Sequence, residues 1–451
     1  MRKHAGTVLT PRRELVAGAA ITAALLIAVS VASFGGPPAP SSTPAPSSGS
    51  LWDQIGWERA PRDPATGHDL GLGQWMAGVV AGGPGFVAWG LDTKRLPEGI
   101  RASMTIWVSA DAWRWREVIL DPGRTLVDRI EIRRVAAGPE GVVASGGRCC
   151  GKADQGSEFL PTRWFSPDGE HWTRAVAEGL QPDPGGPDRI VVAGPGGFVE
   201  GGETNDLPGV WFSPNGTSWT GTSLAVEGFA SGIVTDLATD AHGYLAVGSV
   251  WNSDGGIGVV WRSLNGSDWV RVGVDDAVLS TGPVSIERVV SYPRGWFAIG
   301  HRAIPPEEQT CPPAPPGLFV DTCRTTERVH LTSPDGDHWT ELQISDTPRH
   351  GLGSGDLITG YDSGLMAMGP ADEPESTFLT GFSLWTSTDG EHWTRATEDP
   401  GLASGDIVHG FVVAGDRVVA VGDSYFAASG GMVWIATPIR ETIGPSVSER
   451  P

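Results

Sequence analysis

Seven turn positions recur along the chain, at Gly85, Gly141, Gly197, Gly243, Gly295, Gly364 and Arg417. Counting eight residues back from each gives Ala77, Arg133, Arg189, Thr235, Glu287, Asp356 and His409. The position after these adds Arg134, Asp236 and Arg288. Guanidinium forks clamp carboxylates, and an acid or an imidazole beside the clamped group can move protons. Arg133, Arg189, Glu287, Arg288, Asp356 and His409 are therefore the candidate catalytic or binding set, provided that separate segments of chain converge. The alternative is a group of charges that pair with one another and with water.

What would bring them together is a repeat. Each turn position opens a strand of the form G-hydrophobic-hydrophobic-A-x-G, with Glu200 for the alanine in the third and Arg417 for the first glycine in the seventh, ending at Gly90, Gly146, Gly202, Gly248, Gly300, Gly369 and Gly422. Between these strands lie six boxes of the form S-x-[DN]-G-x-x-W, starting at Ser109, Ser166, Ser213, Ser263, Ser333 and Ser387. From a box to the next strand-ending glycine is always 35 to 37 residues, whereas from a glycine to the next box ranges from 11 to 33. The fixed half is scaffold, and the half free to vary is where function is carried.

Each repeat divides into four strands. Strand A precedes the turn, and strand B ends at the glycine. Strand C carries a tryptophan two residues before the box serine (Trp107, Trp164, Trp211, Trp261 and Trp385, with Leu331 in the fifth repeat). The box is the C–D turn, and its own tryptophan opens strand D. The seventh repeat has Trp434 and Ala436 in the strand C and box positions but stops at Thr437-Pro438 without a D strand. Near the other end, Trp57-Glu-Arg-Ala60 matches Trp172-Thr-Arg-Ala175 and Trp393-Thr-Arg-Ala396. This match predicts that the N-terminal strand completes the last blade and closes a ring, which protects the terminal blades from edge exposure.

The boxes, Ser166-Pro-Asp-Gly-Glu-His-Trp172 and Ser387-Thr-Asp-Gly-Glu-His-Trp393 above all, resemble the Asp-box (BNR) repeat of sialidase-like β-propellers. The resemblance spans roughly residues 51–437. It implies an all-β propeller scaffold; the seven strand-ending glycines count seven repeats where sialidases have six blades, so the expected fold is a seven-bladed β-propeller of four-stranded antiparallel blades, here preceded by a single transmembrane helix. It also implies structural roles for Asp111, Asp168, Asn215, Asn265, Asp335 and Asp389, whose side chains bond backbone amides of the turn, and for Trp115, Trp172, Trp219, Trp269, Trp339 and Trp393, which pack between blades. The first box has Ala112 where glycine is expected, which leaves its turn geometry open. Sialidase-like propellers keep their sites on the face opposite the boxes, where the variable B–C loops of this chain also lie. Sialidases use an arginine triad, a tyrosine nucleophile and a carboxylate partner. This chain has only Tyr244, Tyr292, Tyr361 and Tyr425, and it lacks the R-I-P motif of that family.

Composition narrows the partners. The net charge is -21, although Arg2, Lys3, Arg12 and Arg13 make the first 14 residues basic. Such an acidic surface repels phosphate backbones, which argues against nucleic acid. Residues 15–34 carry no charge and, at ~1.5 Å rise per residue, reach across the ~30 Å hydrocarbon core. With basic residues before them they predict a single-pass cell-membrane anchor and an extracytoplasmic propeller. The rival is a signal peptide cleaved near Ser30-Val31-Ala32, giving a secreted protein. Residues 35–50 are a Pro/Ser-rich linker and 438–451 a disordered tail.

In an oxidising compartment Cys311 and Cys323, within the long fifth-repeat insertion, and the adjacent Cys149 and Cys150 are expected to form local disulfides. Loop acids Glu307, Glu308, Asp372, Glu373 and Glu375 could attract calcium or a cationic partner, but solvated acids are commoner. No metal, no cofactor and a monomer are expected. The function that fits is binding of a protein or glycan on the face opposite the boxes. The alternatives are a sialidase-like glycoside hydrolase and a structural scaffold or assembly factor.

Overall fold

The computed structural model describes residues 51–60, 74–96, 99–120, 129–149, 159–179, 190–253, 255–274, 276–280, 284–311, 325–344, 357–370, 382–398, 406–424 and 431–439. The expected anchor, linker and nearly all of the tail lie outside these residues, as do Arg189, Asp356, Cys150, Cys323, Asp372, Glu373, Glu375, Tyr425 and the Cys149 side chain. Among the described residues no helix is long and apolar enough to cross a membrane.

The fold is a seven-bladed β-propeller. Seven separate sheets form, each with strands in the order A-B-C-D. The innermost strands are Gln74–Gly82, Arg129–Gly138, Ile190–Gly194, Ser231–Asp240, Val284–Tyr292, Ile358–Tyr361 and Asp406–Ala414. Each touches the next, and the last touches the first, so the sheets stand around a common axis. The B strands are covered on both faces by neighbouring blades. This is why they read as continuous apolar runs rather than as alternation, as in Gly243–Asn252.

The recurrent glycine at the end of strand B has a steric cause. In blades one, two, four, five and seven, strand A has a register shift between Met76 and Gly78, Ile132 and Arg134, Val234 and Asp236, Ile286 and Arg288, and Val408 and Gly410. The extra residue in each is Ala77, Arg133, Thr235, Glu287 or His409. These β-bulges push a strand A carbonyl toward strand B. A Cβ at Gly90 would lie 2.0 Å from the Trp75 oxygen, one at Gly146 2.0 Å from the Glu131 oxygen, and one at Gly422 1.8 Å from the Ile407 oxygen. Only glycine fits opposite the bulge.

The box turns share one hydrogen-bonding scheme. In the sixth, Asp389 Oδ1 accepts from the Glu391 and His392 amides at 2.9 and 2.8 Å, Ser387 Oγ accepts from the Gly390 amide at 2.8 Å, and Trp393 Nε1 donates to the Gly390 oxygen at 2.9 Å. The first box does the same with alanine. Ala112 takes φ 67° against 75° to 85° for Gly169, Gly216, Gly266, Gly336 and Gly390, and Trp115 Nε1 reaches its oxygen at 2.7 Å.

Space decides where alanine is tolerated. A Cβ at Gly216 would lie 2.3 Å from the Phe165 ring of the preceding blade. Around Ala112 the corresponding neighbours are Val419 and Ile435, which leave room for a methyl. Gly216→Ala should therefore cost about 2–4 kcal/mol, from left-handed strain plus overpacking. Ala112→Gly should stay within about 1 kcal/mol of neutral, since relieved strain offsets a lost buried methyl. Urea unfolding midpoints check this, and equal losses at the two sites would refute the steric account.

The ring closes as the repeat count requires. Gln54–Arg59 pairs antiparallel with Met432–Pro438, setting Trp57 opposite Ala436. Trp52, Ile55 and Trp57 are buried there with Met432 and Trp434. Two blades depart from four strands. Val176–Glu178 lies parallel to Ser218–Ser223, and Thr397–Glu398 lies parallel to Gln54–Arg59. In both, the chain leaving strand D of one blade runs on along the outer edge of the next blade and adds a fifth strand.

Candidate functional site

The axial channel contains a cavity of about 390 Å³ to which the inner strands of all seven blades contribute. Most of its wall is small or apolar. Gly78 and Gly410 stand side by side in the first and last blades, a Cβ on Gly410 falling 3.0 Å from the Gly78 Cα. The charged part of the wall is Arg134, Asp236 and Arg288 from blades two, four and five, with His409 beside Gly410.

Asp236 is the centre of this group. Its Oδ2 accepts the Val289 amide of the next blade at 2.8 Å and lies 3.5 Å from Arg288 Nε. Burial pushes its pKa up, against the opposing pull of Arg288, the Val289 and Leu237 amides, and Arg134. Arg134 Nη1 donates to the Arg133 oxygen at 3.2 Å. Two guanidinium groups and one carboxylate thus face a common space, with one positive charge in excess while Asp236 is ionised.

The bulge residue lines the cavity in the first and last blades, as Ala77 and His409, but not in blades two, four and five. Arg133 and Glu287 are the inserted residues, and neither lines the cavity. Arg133 Nε sits 3.2 Å from Glu131, and Glu287 Oε1 sits 2.8 Å from His301 Nδ1 on the adjoining strand. Thr235 Oγ1 donates to the Ile286 oxygen. Of the candidate set, Arg288 and His409 reach the cavity. His409 also lies 3.5 Å from Asp423 and packs its ring 5.1 Å from that of Trp75. The expected convergence of Arg133 and Glu287 on the axis is therefore corrected: Arg134, Asp236 and Arg288, one residue further on, provide the charges there.

Tyr244 and Tyr292 are used between blades. The Tyr244 hydroxyl accepts from the Gly196 amide and donates to the Gly197 oxygen, both at 2.9 Å. That of Tyr292 meets Thr332 Oγ1 at 2.9 Å and donates to the Asp389 oxygen at 3.4 Å. Among the described residues no group of three or more His, Cys, Asp or Glu side chains is placed to hold a metal ion, and no cysteine is free. Glu307 and Glu308 are exposed.

Sequence reasoning missed a second charged group, buried between blades two and three. Arg163 Nε and Nη2 donate to Glu200 at 2.7 and 3.2 Å, Ser145 Oγ donates to Glu200 at 2.7 Å, and the guanidinium lies 4.9 Å from the Trp219 ring centre. The two charged side chains are 3% and 0% exposed. The signal was present, because Glu200 stands where the other six repeats have alanine, and Arg163 where five of the other six have Ile106, Val210, Val260, Leu384 or Val433.

No protein-family model and no curated protein matches this chain. Among solved structures it is similar to a sialidase of Trypanosoma rangeli, at 11% identity and a TM-score of 0.39 over 82% of this chain and 55% of that one. An α-L-arabinanase of Penicillium chrysogenum, complexed with arabinobiose, gives 12% and 0.39 over 83% and 98%. The β-propeller domain of a trilobed protease from Pyrococcus furiosus, described as having an open velcro topology, gives 10% and 0.44 over 84% and 99%. This chain thus spans about half the length of the sialidase. Likenesses this distant carry no functional argument, and the propeller rests on the chain's own seven sheets.

Proposed function

We propose that this chain is a membrane-tethered, extracytoplasmic propeller that binds a protein or glycan ligand on the face opposite the boxes, the boxes serving as Asp-box turns. The observation that carries the reading is the channel cavity. Its size falls in the range of about 300–1,000 Å³ typical of ligand sites, and a few convergent polar groups stand in a mostly apolar wall. The charge-free segment at residues 15–34 supports the tether. A Cys311–Cys323 disulfide would staple the longest loop on the same face. A hydrolase is the second reading, favoured by one feature: burial that raises the pKa of Asp236, as a general acid needs.

The test is a glycan array on residues 51–451 with a fluorogenic sialoside assayed alongside. Arg134→Ala is expected to weaken binding about tenfold or more, the loss of a charge-assisted hydrogen bond. Glu287→Ala, whose carboxylate is turned to His301, should leave it unchanged. Turnover that disappears on Asp236→Asn would replace this reading with the hydrolase. No binding and no turnover would leave the scaffold.

A further inference from the structure

The Asn-Gly pairs in the third and fourth boxes, Asn215-Gly216 and Asn265-Gly266, replace the Asp-Gly of the other glycine-bearing boxes. Asn-Gly is the dipeptide most prone to deamidation, because glycine leaves its own amide nitrogen unshielded. That nitrogen attacks the asparagine Cγ, ammonia departs, and a cyclic imide forms. Water then opens the imide to aspartate or isoaspartate. The attack requires the glycine amide to lose its proton.

In the folded fourth box that proton is occupied. The Gly266 amide donates to Ser263 Oγ at 2.8 Å in a buried bond, and Asn265 Oδ1 accepts from the Ser267 and Asp268 amides at 3.0 and 2.9 Å. Gly266 is held at φ 84°. Asn265 is exposed to water, but the nucleophile beside it is not.

The residue three places after the Asp or Asn sets what the product would cost. Where the box has aspartate in the second, fifth and sixth repeats, that residue is His171, His338 or His392, with Nδ1 2.7 to 3.0 Å from the carboxylate. In the fourth it is Asp268, and Asn265 Nδ2 donates to its carboxylate at 2.8 Å. An amide is the complement of an acid as a carboxylate is the complement of a histidine. Conversion of Asn265 would set two carboxylates against each other. In the third box the residue is Ser218, and the same conversion would yield an ordinary Asp-type turn.

We propose that Asn265 is a deamidation site gated by folding, whose modification weakens the fourth blade and so makes its opening irreversible. Asn215 is its internal control, a site of the same chemistry without the penalty.

The experiment has two arms. Peptide mass spectrometry after incubation at mildly alkaline pH, with and without denaturing urea, follows the amide-to-acid conversion at both sites. Conversion at Asn265 is expected to be at least ~10-fold slower in the native protein, because it proceeds only through the opened form. In the second arm, Asn265→Asp is expected to lower the Tm more than Asn215→Asp, and Asp268→Ser added to Asn265→Asp is expected to restore it. Equal native and denatured rates at Asn265 would overturn the gate. Equal Tm values for the two Asn→Asp variants, or no rescue by Asp268→Ser, would overturn the penalty.

Discussion

Glu200→Ala is expected to destabilise the propeller by about 3–5 kcal/mol, although it restores the residue found at that position in every other repeat. Glu200 is wholly buried and holds both Arg163 nitrogens and Ser145. Its removal leaves a guanidinium between the Trp211 and Trp219 rings with its principal partner gone, and burying an uncompensated charge costs several kcal/mol. The aromatic faces recover only about 1–2 kcal/mol of this. Adding Arg163→Val, the residue of the neighbouring repeat, should bring the double variant back close to the parent, because a well-packed apolar pair is often as stable as a buried ion pair. Urea or thermal unfolding of the four proteins measures the cycle. Additive losses in the double variant would refute the coupling.

Stability is also expected to fall by up to about 3 kcal/mol between pH 6.5 and 4 through His330 alone. Burial, with Arg328 and His301 nearby, lowers its pKa to about 4, and its ring is stacked 6.0 Å from Phe297. The folded state then binds fewer protons than the unfolded state between the two pKa values, so stability is lost as pH falls through that window. The other shifted groups behave differently. His171 and His338 are raised by their hydrogen bonds to Asp168 and Asp335; their small contribution is fully present below pH 6.5 and is lost as pH rises through their raised folded-state pKa. Asp389 is held at about 2, burial opposing and the His392 amide and ring prevailing, so its contribution is lost only in stronger acid. Asp236, raised by burial, opposes His330. His330→Leu, the residue of the sixth repeat at that position, isolates the effect as a difference. The variant should lose this acid sensitivity, and parallel curves of stability against pH for the two proteins would count against it.

The scaffold was readable because its constraints act on single residues. A positive φ, a carbonyl 2.0 Å from where a Cβ would stand and an indole reaching back to a turn oxygen each narrow the choice to one residue type, with Ala112 in the first box the exception to the glycine at positive φ. The channel was readable to within one residue. Alignment found the ring of positions, but a bulge adds a residue, and the extra one lines the channel in the first and last blades (Ala77, His409) while the next one does so in blades two, four and five; nothing in the types of Arg133 and Arg134 says which faces the axis. The fifth strands were not readable at all. Val176–Glu178 and Thr397–Glu398 are two or three residues long, too short to show a period, and exist only because a neighbouring edge is available. Glu200 and His330 were readable only as departures from the repeat, and a departure by itself does not reveal its partner.

The closure formed by Gln54–Arg59 against Met432–Pro438 also has a consequence in time. Of the propeller's own strands the first of these is synthesised first and its antiparallel partner last, so six blades can fold before the ring has its final edge. Until then Trp52, Ile55 and Trp57 have no blade to cover them, and the exposed edge is open to pairing with another chain. The entropy of joining such distant segments grows only slowly with their separation, so the distance does not prevent closure once both strands are present. The seam that makes the finished wheel durable is therefore the interval in which the nascent protein is most exposed to misassembly.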